Sequence, residues 1–451
     1  MELAECLRQA GIVGCGGAGF PAYAKYAGKE IDTIIINGAE CEPLLQTDKF
    51  IMRNYSSRLI KAADWLTQKS GAGKCVIALK SSYKREIDSL AQAIRENESQ
   101  VSLHTLDSFF PAGDEQSIVY EVTGKVVPPA SIPLSVGCVV SNAATLLCIA
   151  DAMEGRAYTK KYLTITGEVK EPVIARVPIG TPVNRCLEMA GGPLREDYIV
   201  INGGPMMGKI LTRQEAQKAF VSKTMSGLIV LPENSAHGQK REISVLRMAN
   251  RAKSACIQCS FCTQMCPRHL LGHPIEPHRI MRKLAMCKDL TEILDDRDVQ
   301  NAAICCECGV CEVFACPMGL QPRAVNSVLK KELAKAGFRY LAPKQNWESS
   351  RERSFRKIPS KRIAQRAGVE KYEEIQIDKM LELESTQIQT VQIALKQNVG
   401  VPSVPAVSTG DMVKEGQIIA DCPKDGLGVP LHASVSGRAV VGDTYIRIDT
   451  V

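Results

Sequence analysis

From Ile31 onward, short runs of apolar residues rich in Ile and Val alternate with stretches whose apolar positions recur at helical spacing. DTIIIN is followed by a helical pattern from about Lys49 to Lys69, then CVIALK, then YKREIDSLAQAIREN, then VSLHTL. Strand-length apolar runs separated by helix-length amphipathic ones predict a mainly parallel sheet with crossover helices, and ligand loops at the carboxyl ends of the strands. This α/β domain is expected to span residues 1–156. Its most apolar stretch, LSVGCVVSNAATLLCIADAM from Leu134, is interrupted by Ser, Asn and Thr and ends in Asp. It reads as a buried strand and helix, not a membrane span.

The pattern changes after residue 156. KYLTITGEVKEPVIARVPIGTPVNRCLEMAGG and DYIVINGG predict a hairpin, a short helix and a further strand, a β-grasp module over residues 157–240. Residues 241–345 carry helical periodicity, clearest in IEPHRIMRKLAMCKDL and PRAVNSVLKKELAKAG. Residues 346–388 are dense in charge and predict a connector with some helix. Residues 389–451 return to short β-runs, with turns at TGD, KEG, KDG and SGR, and predict a small all-β sandwich.

Composition narrows the function. Across 451 residues, 45% hydrophobic and 23% charged content is that of an ordinary folded protein. Lys+Arg 56 against Asp+Glu 49 leaves +7, too weak a basic excess for a dedicated nucleic-acid binder. The opening MELAECLRQAGIVGCGG lacks the basic start and apolar core of a secretory signal, which predicts a reducing cytosol where close-set thiols bind metal. A short amphipathic targeting helix is one reading of that opening, and a helix packed on the first domain is the simpler one.

Cysteine is the unusual residue: of 18, ten fall between Cys256 and Cys316. Cys256, Cys259, Cys262 and Cys266, followed by Pro267, form the C-x-x-C-x-x-C-x-x-x-C-P run of bacterial ferredoxins. Cys305, Cys308, Cys311 and Cys316, followed by Pro317, repeat it with one extra residue before the last Cys. Three thiolates at two-residue spacing wrap three corners of a cuboidal cluster, while the fourth Cys points to the other cluster of a pair. Two [4Fe-4S] clusters are expected, one on Cys256, Cys259, Cys262 and Cys316, the other on Cys305, Cys308, Cys311 and Cys266. Zinc needs only four ligands and has no use for this doubled run. Cys287 and Cys306 read as packing or spare thiols, and His269, His273 and His278 as caps or surface residues.

Two further segments carry candidate chemistry. GIVGCGGAGFPAYAKY, Gly11 to Tyr26, offers backbone N–H groups to a phosphate with Lys25 nearby, although a plain glycine turn has the same composition. NGAECEP, Asn37 to Pro43, ends the first predicted strand; Glu40 and Glu42 there are either solvated or acceptors for a nucleotide.

In combination these segments resemble the family that contains the NADH-oxidising flavin subunit of respiratory complex I and the RnfC subunit of ion-pumping ferredoxin oxidoreductases. The glycine loop, NGAECEP, PAGDEQS, the β-grasp domain, the paired cluster motifs and the terminal sandwich all take part. The C-terminal place of that sandwich is similar to the cobalamin-reductase branch of propanediol-utilising microcompartments. The resemblance implies an α/β domain for FMN and NADH, an SLBB-like β-grasp domain, a two-[4Fe-4S] ferredoxin-like domain and a barrel-sandwich hybrid. It carries flavin contacts onto Gly14, Gly16, Lys25, Asn37, Asn142 and Thr145, and nicotinamide-nucleotide contacts onto Phe20, Glu40, Glu42 and Glu115. Ala39 and Ser141 replace residues of the family pattern; Asp114, standing for a Glu, is counted with the cofactor contacts. Lys424 lacks the Asp-Lys-Ala tip of a lipoyl hairpin, so no lipoylation is expected.

The activity so implied is electron transfer from NADH through FMN and two [4Fe-4S] clusters to a corrinoid, reducing cob(III)alamin to cob(II)alamin and cob(I)alamin. The implied partners are an adenosyltransferase and microcompartment shell proteins, with no nucleic acid and no direct membrane insertion. The alternatives are an RnfC-type protein linking NADH and ferredoxin in a membrane complex, and a non-catalytic module that has lost flavin.

Overall fold

The computed structural model describes residues 2–27, 30–240, 244–423 and 426–450. Lys424 lies outside the described residues. Four parallel strands, β1 (Thr33–Asn37), β2 (Lys74–Lys80), β3 (Ser102–Leu106) and β4 (Cys138–Asn142), form a sheet of order β3-β2-β1-β4. Ile34, Ile35 and Ile36 of β1 are all buried, because helices and loops cover both faces, which is why the strand reads as an unbroken apolar run. The helix α1 (Leu3–Gln9) buries Leu3, Cys6 and Leu7 in this domain's core, the simpler of the two readings of the opening segment.

The helix expected from about Lys49 to Lys69 is two, α2 (Thr47–Asn54) and α3 (Ser56–Ser70). Tyr55 breaks it: its ring packs edge-on against Phe50 and Tyr162, and its hydroxyl meets that of Tyr162 at 3.1 Å. A tertiary anchor thus overrides a continuous helical pattern. The domain is completed by α4 (Lys84–Glu96), α5 (Glu115–Thr123) and α6 (Ala143–Met153).

The β-grasp region contributes β5 (Lys160–Gly167), β6 (Val173–Pro178), β7 (Tyr198–Asn202), β8 (Lys209–Thr212) and β9 (Gly227–Pro232), with the short helix α7 (Val183–Met189) against them. A sixth strand, β10 (Met380–Glu382), joins parallel to β6, giving the order β10-β6-β5-β9-β7-β8.

That edge strand comes from the segment expected as a charged connector. The segment does connect, but it does so as a packed strap. Arg353 is buried against Glu121 at 2.8 Å, Ile358–Pro359 pairs with Phe109–Phe110, and Ile377 donates its N–H to Gln46. Single apolar residues spaced among the charges (Ile358, Ile363, Tyr372, Ile377) are all buried, and each pins the strap to a neighbouring element.

The cysteine-rich region packs α8 (Val245–Ala255), α9 (Pro277–Met286) and α10 (Pro322–Lys335) around Ile280, Leu284 and Leu329. The terminal region forms two small facing sheets whose core residues Val391 and Ile448 are continuous with Leu163 and Val183 of the β-grasp region. These two regions therefore share one core. Among the described residues no helix is long and apolar enough to cross a membrane.

Candidate active site and cluster cavities

β1 has β2 on one side and β4 on the other, so the crossovers leave its two edges in opposite directions and open a crevice at the carboxyl ends. Asn37 and Asn142, the last residues of β1 and β4, are register partners at that crevice. Both side chains are already engaged. Asn37 donates to the Gly113 carbonyl at 2.8 Å and accepts from the Ala39 N–H. Asn142 caps α6 by accepting from the Ala144 N–H, and donates to Asp48 at 2.6 Å. They therefore fix the loops that frame the crevice.

The glycine loop lies across the same crevice. Thr145, buried in the first turn of α6, accepts the Cys15 N–H at 2.9 Å, and Gly14 closes the loop onto the Phe20 carbonyl. Gly16 and Gly17 are exposed. A Cβ built on Gly14 or Gly16 meets nothing closer than 3.7 Å, and on Gly17 nothing within 4 Å. Packing within the protein does not demand glycine at Gly14 or Gly16, and the open space there would let a ligand lie against the backbone. Lys25 donates to the Val140 carbonyl at 2.7 Å and pairs with Glu115 at 3.2 Å, which sets its ammonium beside the crevice. Phe20 is half-buried in the loop. The cradle fits a flavin phosphate.

The acidic loop is more enclosed than solvated. Glu40 accepts from the Glu42 N–H at 2.9 Å, and burial raises its pKa. Glu42 accepts from the Met206 N–H at 2.8 Å, while its other oxygen is buried without a partner among the described residues. Burial outweighs the Met206 amide and, with Glu40 beside it, pushes Glu42 up to about 8. Asp48, which the sequence did not single out, is pushed up to about 7 by burial and the nearby Glu40. The only sequence sign of Asp48 is an acid in a first helical turn, which is commonplace.

A raised carboxylate pKa means the folded chain holds a proton that the unfolded chain has released. The stabilisation is complete below the unfolded value and is lost as pH rises through about 8. Glu42→Gln removes this dependence. Its stability relative to wild type should rise between about pH 5 and about pH 8, by at most ~1.4 kcal/mol per pH unit. Urea unfolding across that range checks it, and a difference that stays flat would place Glu42 in solvent.

Asp114 is also held from within the protein. It caps α5 by accepting from the Ser117 N–H, and Arg268 donates to both of its oxygens at 2.9 Å. Those bonds occupy its carboxylate. Arg268 follows the Cys266-Pro267 pair, so this buried ion pair joins the loop that holds Asn37 to the cysteine-rich region.

The cysteines fall into two groups. Cys266 lines one cavity with Cys305, Cys308 and Cys311, so the last Cys of the first motif joins the first three of the second. Cys262 lies in the field of Cys316, Cys259 and Cys256. Among the described residues no three His, Cys, Asp or Glu side chains converge on a point suited to one metal ion. The thiols of Cys266, Cys305, Cys308 and Cys311 line a space instead, which fits a cluster. The extra residue of the second motif is absorbed in a π-helical turn, Val310–Ala315, where the first motif has a single α-turn, Phe261–Gln264. Cys306 also lines that cavity, whereas Cys287 is buried among helices. His273, read as a cap or surface residue, is buried, meets the Val127 carbonyl at 2.9 Å and packs edge-on against Trp347.

Four family models match the chain: a Nuo51 FMN-binding domain over 7–151, an SLBB domain over 162–209, a 4Fe-4S dicluster domain over 255–321 and an RnfC barrel sandwich hybrid domain over 364–445. Cobalamin reductase PduS of Salmonella typhimurium strain LT2 is 38% identical over 437 residues, 97% of this chain and 93% of its own length. Cobalamin reductase PduS of Citrobacter freundii is 39% identical over 434 residues, 96% and 93%. A component of the Na(+)-translocating ferredoxin:NAD(+) oxidoreductase complex of Acetobacterium woodii is 34% identical, over 58% of this chain and 56% of its own.

Proposed function

The chain belongs to the family of cobalamin reductase PduS, and from that membership we propose that it passes electrons from NADH to a corrinoid, taking cob(III)alamin to cob(II)alamin and on to cob(I)alamin. It is an oxidoreductase with an FMN-binding domain and a 4Fe-4S dicluster domain. When bound, FMN takes electrons in pairs and the clusters take them singly. The protein's residues position these groups. The glycine loop, pinned by Thr145, would hold the flavin, with Gly14, Gly16 and Lys25 offering backbone N–H groups and a positive charge to its phosphate. Phe20, Glu40, Glu42 and Glu115 face the nicotinamide nucleotide, and Glu42, largely protonated at neutral pH, offers a hydrogen bond. The eight thiolates would hold the two clusters, each taking its fourth ligand from the other motif.

The observation that carries this reading is the crevice itself: the Gly16–Gly17 backbone lies open above the register-matched Asn37 and Asn142, and the same loops reach the cluster cavity through Asp114 and Arg268. An RnfC-type role is less well supported, since the ferredoxin:NAD(+) oxidoreductase relative matches 58% of the chain and the cobalamin reductases 97% and 96%. We place the activity in the cytoplasm, inside a bacterial microcompartment, with an adenosyltransferase and shell proteins as partners.

The test is an anaerobic titration of flavin- and iron-replete protein with NADH in excess cob(III)alamin, followed by absorbance. Flavin-dependent corrinoid reduction supports the reading. Bleaching of flavin and clusters with an unchanged corrinoid would transfer the activity to another acceptor, ferredoxin first. A second expectation concerns the loop. Gly16→Ala adds only a Cβ, for which there is room within the protein, so folding should survive while FMN affinity falls roughly tenfold, about 1.4 kcal/mol. The flavin-to-iron ratio of purified protein measures this, and an unchanged ratio would remove the loop from the flavin site.

A further inference from the structure

The glycine loop is anchored from outside its own domain. Tyr158, at the entry to the β-grasp region, donates its N–H to the Ala10 carbonyl at 2.9 Å, and its hydroxyl meets the Cys15 thiol at 3.2 Å. Toward the other end of the loop, Val399 of the terminal region donates its N–H to the Gly19 carbonyl at 3.0 Å. Gly19 has φ +67°, and a Cβ there would lie 2.6 Å from the Thr224 side chain and 3.4 Å from the Gln397 carbonyl oxygen, so the loop is in close contact with both regions at this point. The exposed Gly16 and Gly17 thus sit between two anchored ends.

Lys223 joins these anchors. It lies in the turn before β9 and is 1% exposed. Its ammonium donates to the Gly11 carbonyl at 2.6 Å and to the Pro430 carbonyl of the terminal region at 3.4 Å. Its backbone N–H donates to the Gln397 side-chain oxygen at 2.7 Å, and its carbonyl accepts from the Tyr158 hydroxyl at 3.1 Å. His432 of the terminal region closes on the same point, since a Cβ built on Gly11 would lie 2.9 Å from the Lys223 Nζ and 3.0 Å from the His432 Nδ1. Among the described residues no carboxylate pairs with Lys223. Burying an ammonium without a counter-charge is costly, and an apolar side chain would fill the position at less cost if packing were its only task. What the lysine supplies is a bridge: one side chain reaches the first residue of the glycine loop and the terminal region at once.

We infer that Lys223 is a positioning residue of the flavin site, through which the β-grasp region and the terminal sandwich set the glycine loop for FMN. The inference rests on the reading of that loop as the flavin cradle. It gives both regions a part in flavin binding, although the matched FMN-binding domain ends at residue 151.

Iron-replete protein stripped of flavin is titrated with FMN and followed by flavin fluorescence. Urea unfolding of the same flavin-free protein records stability, and the midpoint potential of the bound flavin is measured at saturating FMN. Lys223→Met should lower FMN affinity by roughly tenfold or more and shift the flavin potential, with iron content unchanged. Gln397→Met removes one acceptor and should lower the affinity by roughly two- to tenfold. Val399→Pro, at an exposed side chain, should act in the same direction by removing the N–H that holds Gly19. Folded Lys223→Met protein that is less stable, yet keeps its FMN affinity within about twofold and its flavin potential, would make Lys223 a packing residue and overturn the inference. If Lys223→Met does not fold, Gln397→Met and Val399→Pro decide, and unchanged FMN affinity in both overturns it. Failure of the underlying reading shows elsewhere, as Gly16→Ala protein that binds FMN as tightly as wild type.

Discussion

Cys266→Ser is expected to empty the cluster cavity of the second cysteine motif and to leave the cluster of the first motif in place. By position in the chain, Cys266 belongs with Cys256, Cys259 and Cys262. By position in space it lines the cavity of Cys305, Cys308 and Cys311. Serine keeps the shape but offers a hard oxygen to a soft iron site. Iron content should fall by about half, and electron transfer from NADH to an external acceptor by at least ~100-fold, because one centre of the relay is lost. Cys316→Ser should do the reverse, removing the cluster of Cys256, Cys259 and Cys262. Spectra of the two variants, taken with and without reductant, distinguish the clusters. Loss of the first-motif cluster in Cys266→Ser would refute the crossed arrangement.

Arg268→Met should be the most destabilising single change outside the cluster ligands. The Arg268 and Asp114 side chains are 10% and 12% exposed and share two bonds of 2.9 Å, so removing the guanidinium leaves a carboxylate buried without its counter-charge. Such a loss costs about 3–5 kcal/mol. Asp114→Asn should cost a similar amount, because it strands the buried guanidinium instead, although its amide oxygen can still accept from Ser117. The double variant should be clearly more stable than the sum of the single losses predicts, because neither leaves a partner stranded. Urea unfolding of the four proteins, each assayed for iron, measures the coupling. Additive effects would mean that Arg268 and Asp114 act independently.

The parts of the molecule that the sequence revealed are those set by local spacing. Ile34 to Ile36 announced a strand buried on both faces, the cysteine runs announced a two-cluster domain, and Cys266 does lie with the second run's thiols. What stayed hidden depends on contacts between distant residues. Nothing near Asp114 signals that Arg268, 154 positions later, takes both of its oxygens. Glu40 and Glu42 could not be divided between solvent and ligand because the Met206 amide that receives Glu42 lies in another domain. Residues 346–388 looked like a linker because a strap that crosses several elements needs only one apolar residue per contact, too few for a periodic pattern. The break at Tyr55 was masked in the same way, since the rings that hold it come from Phe50 and the distant Tyr162.

The strap also sets a timetable for synthesis. Strands β5 to β9 leave the ribosome together, but the edge they present at β6 stays uncovered until β10 follows, roughly 150 residues after β9. At about 5–20 residues per second, that edge is open for roughly 7–30 s, and the core shared with the terminal sandwich is open for longer. During this interval the cysteine-rich region emerges, so its thiols are reachable by whatever delivers iron before the last strands close the surrounding structure. Truncation before residue 380 should therefore leave a chain with an unpaired sheet edge and half a core, prone to self-association even when every cofactor ligand is present.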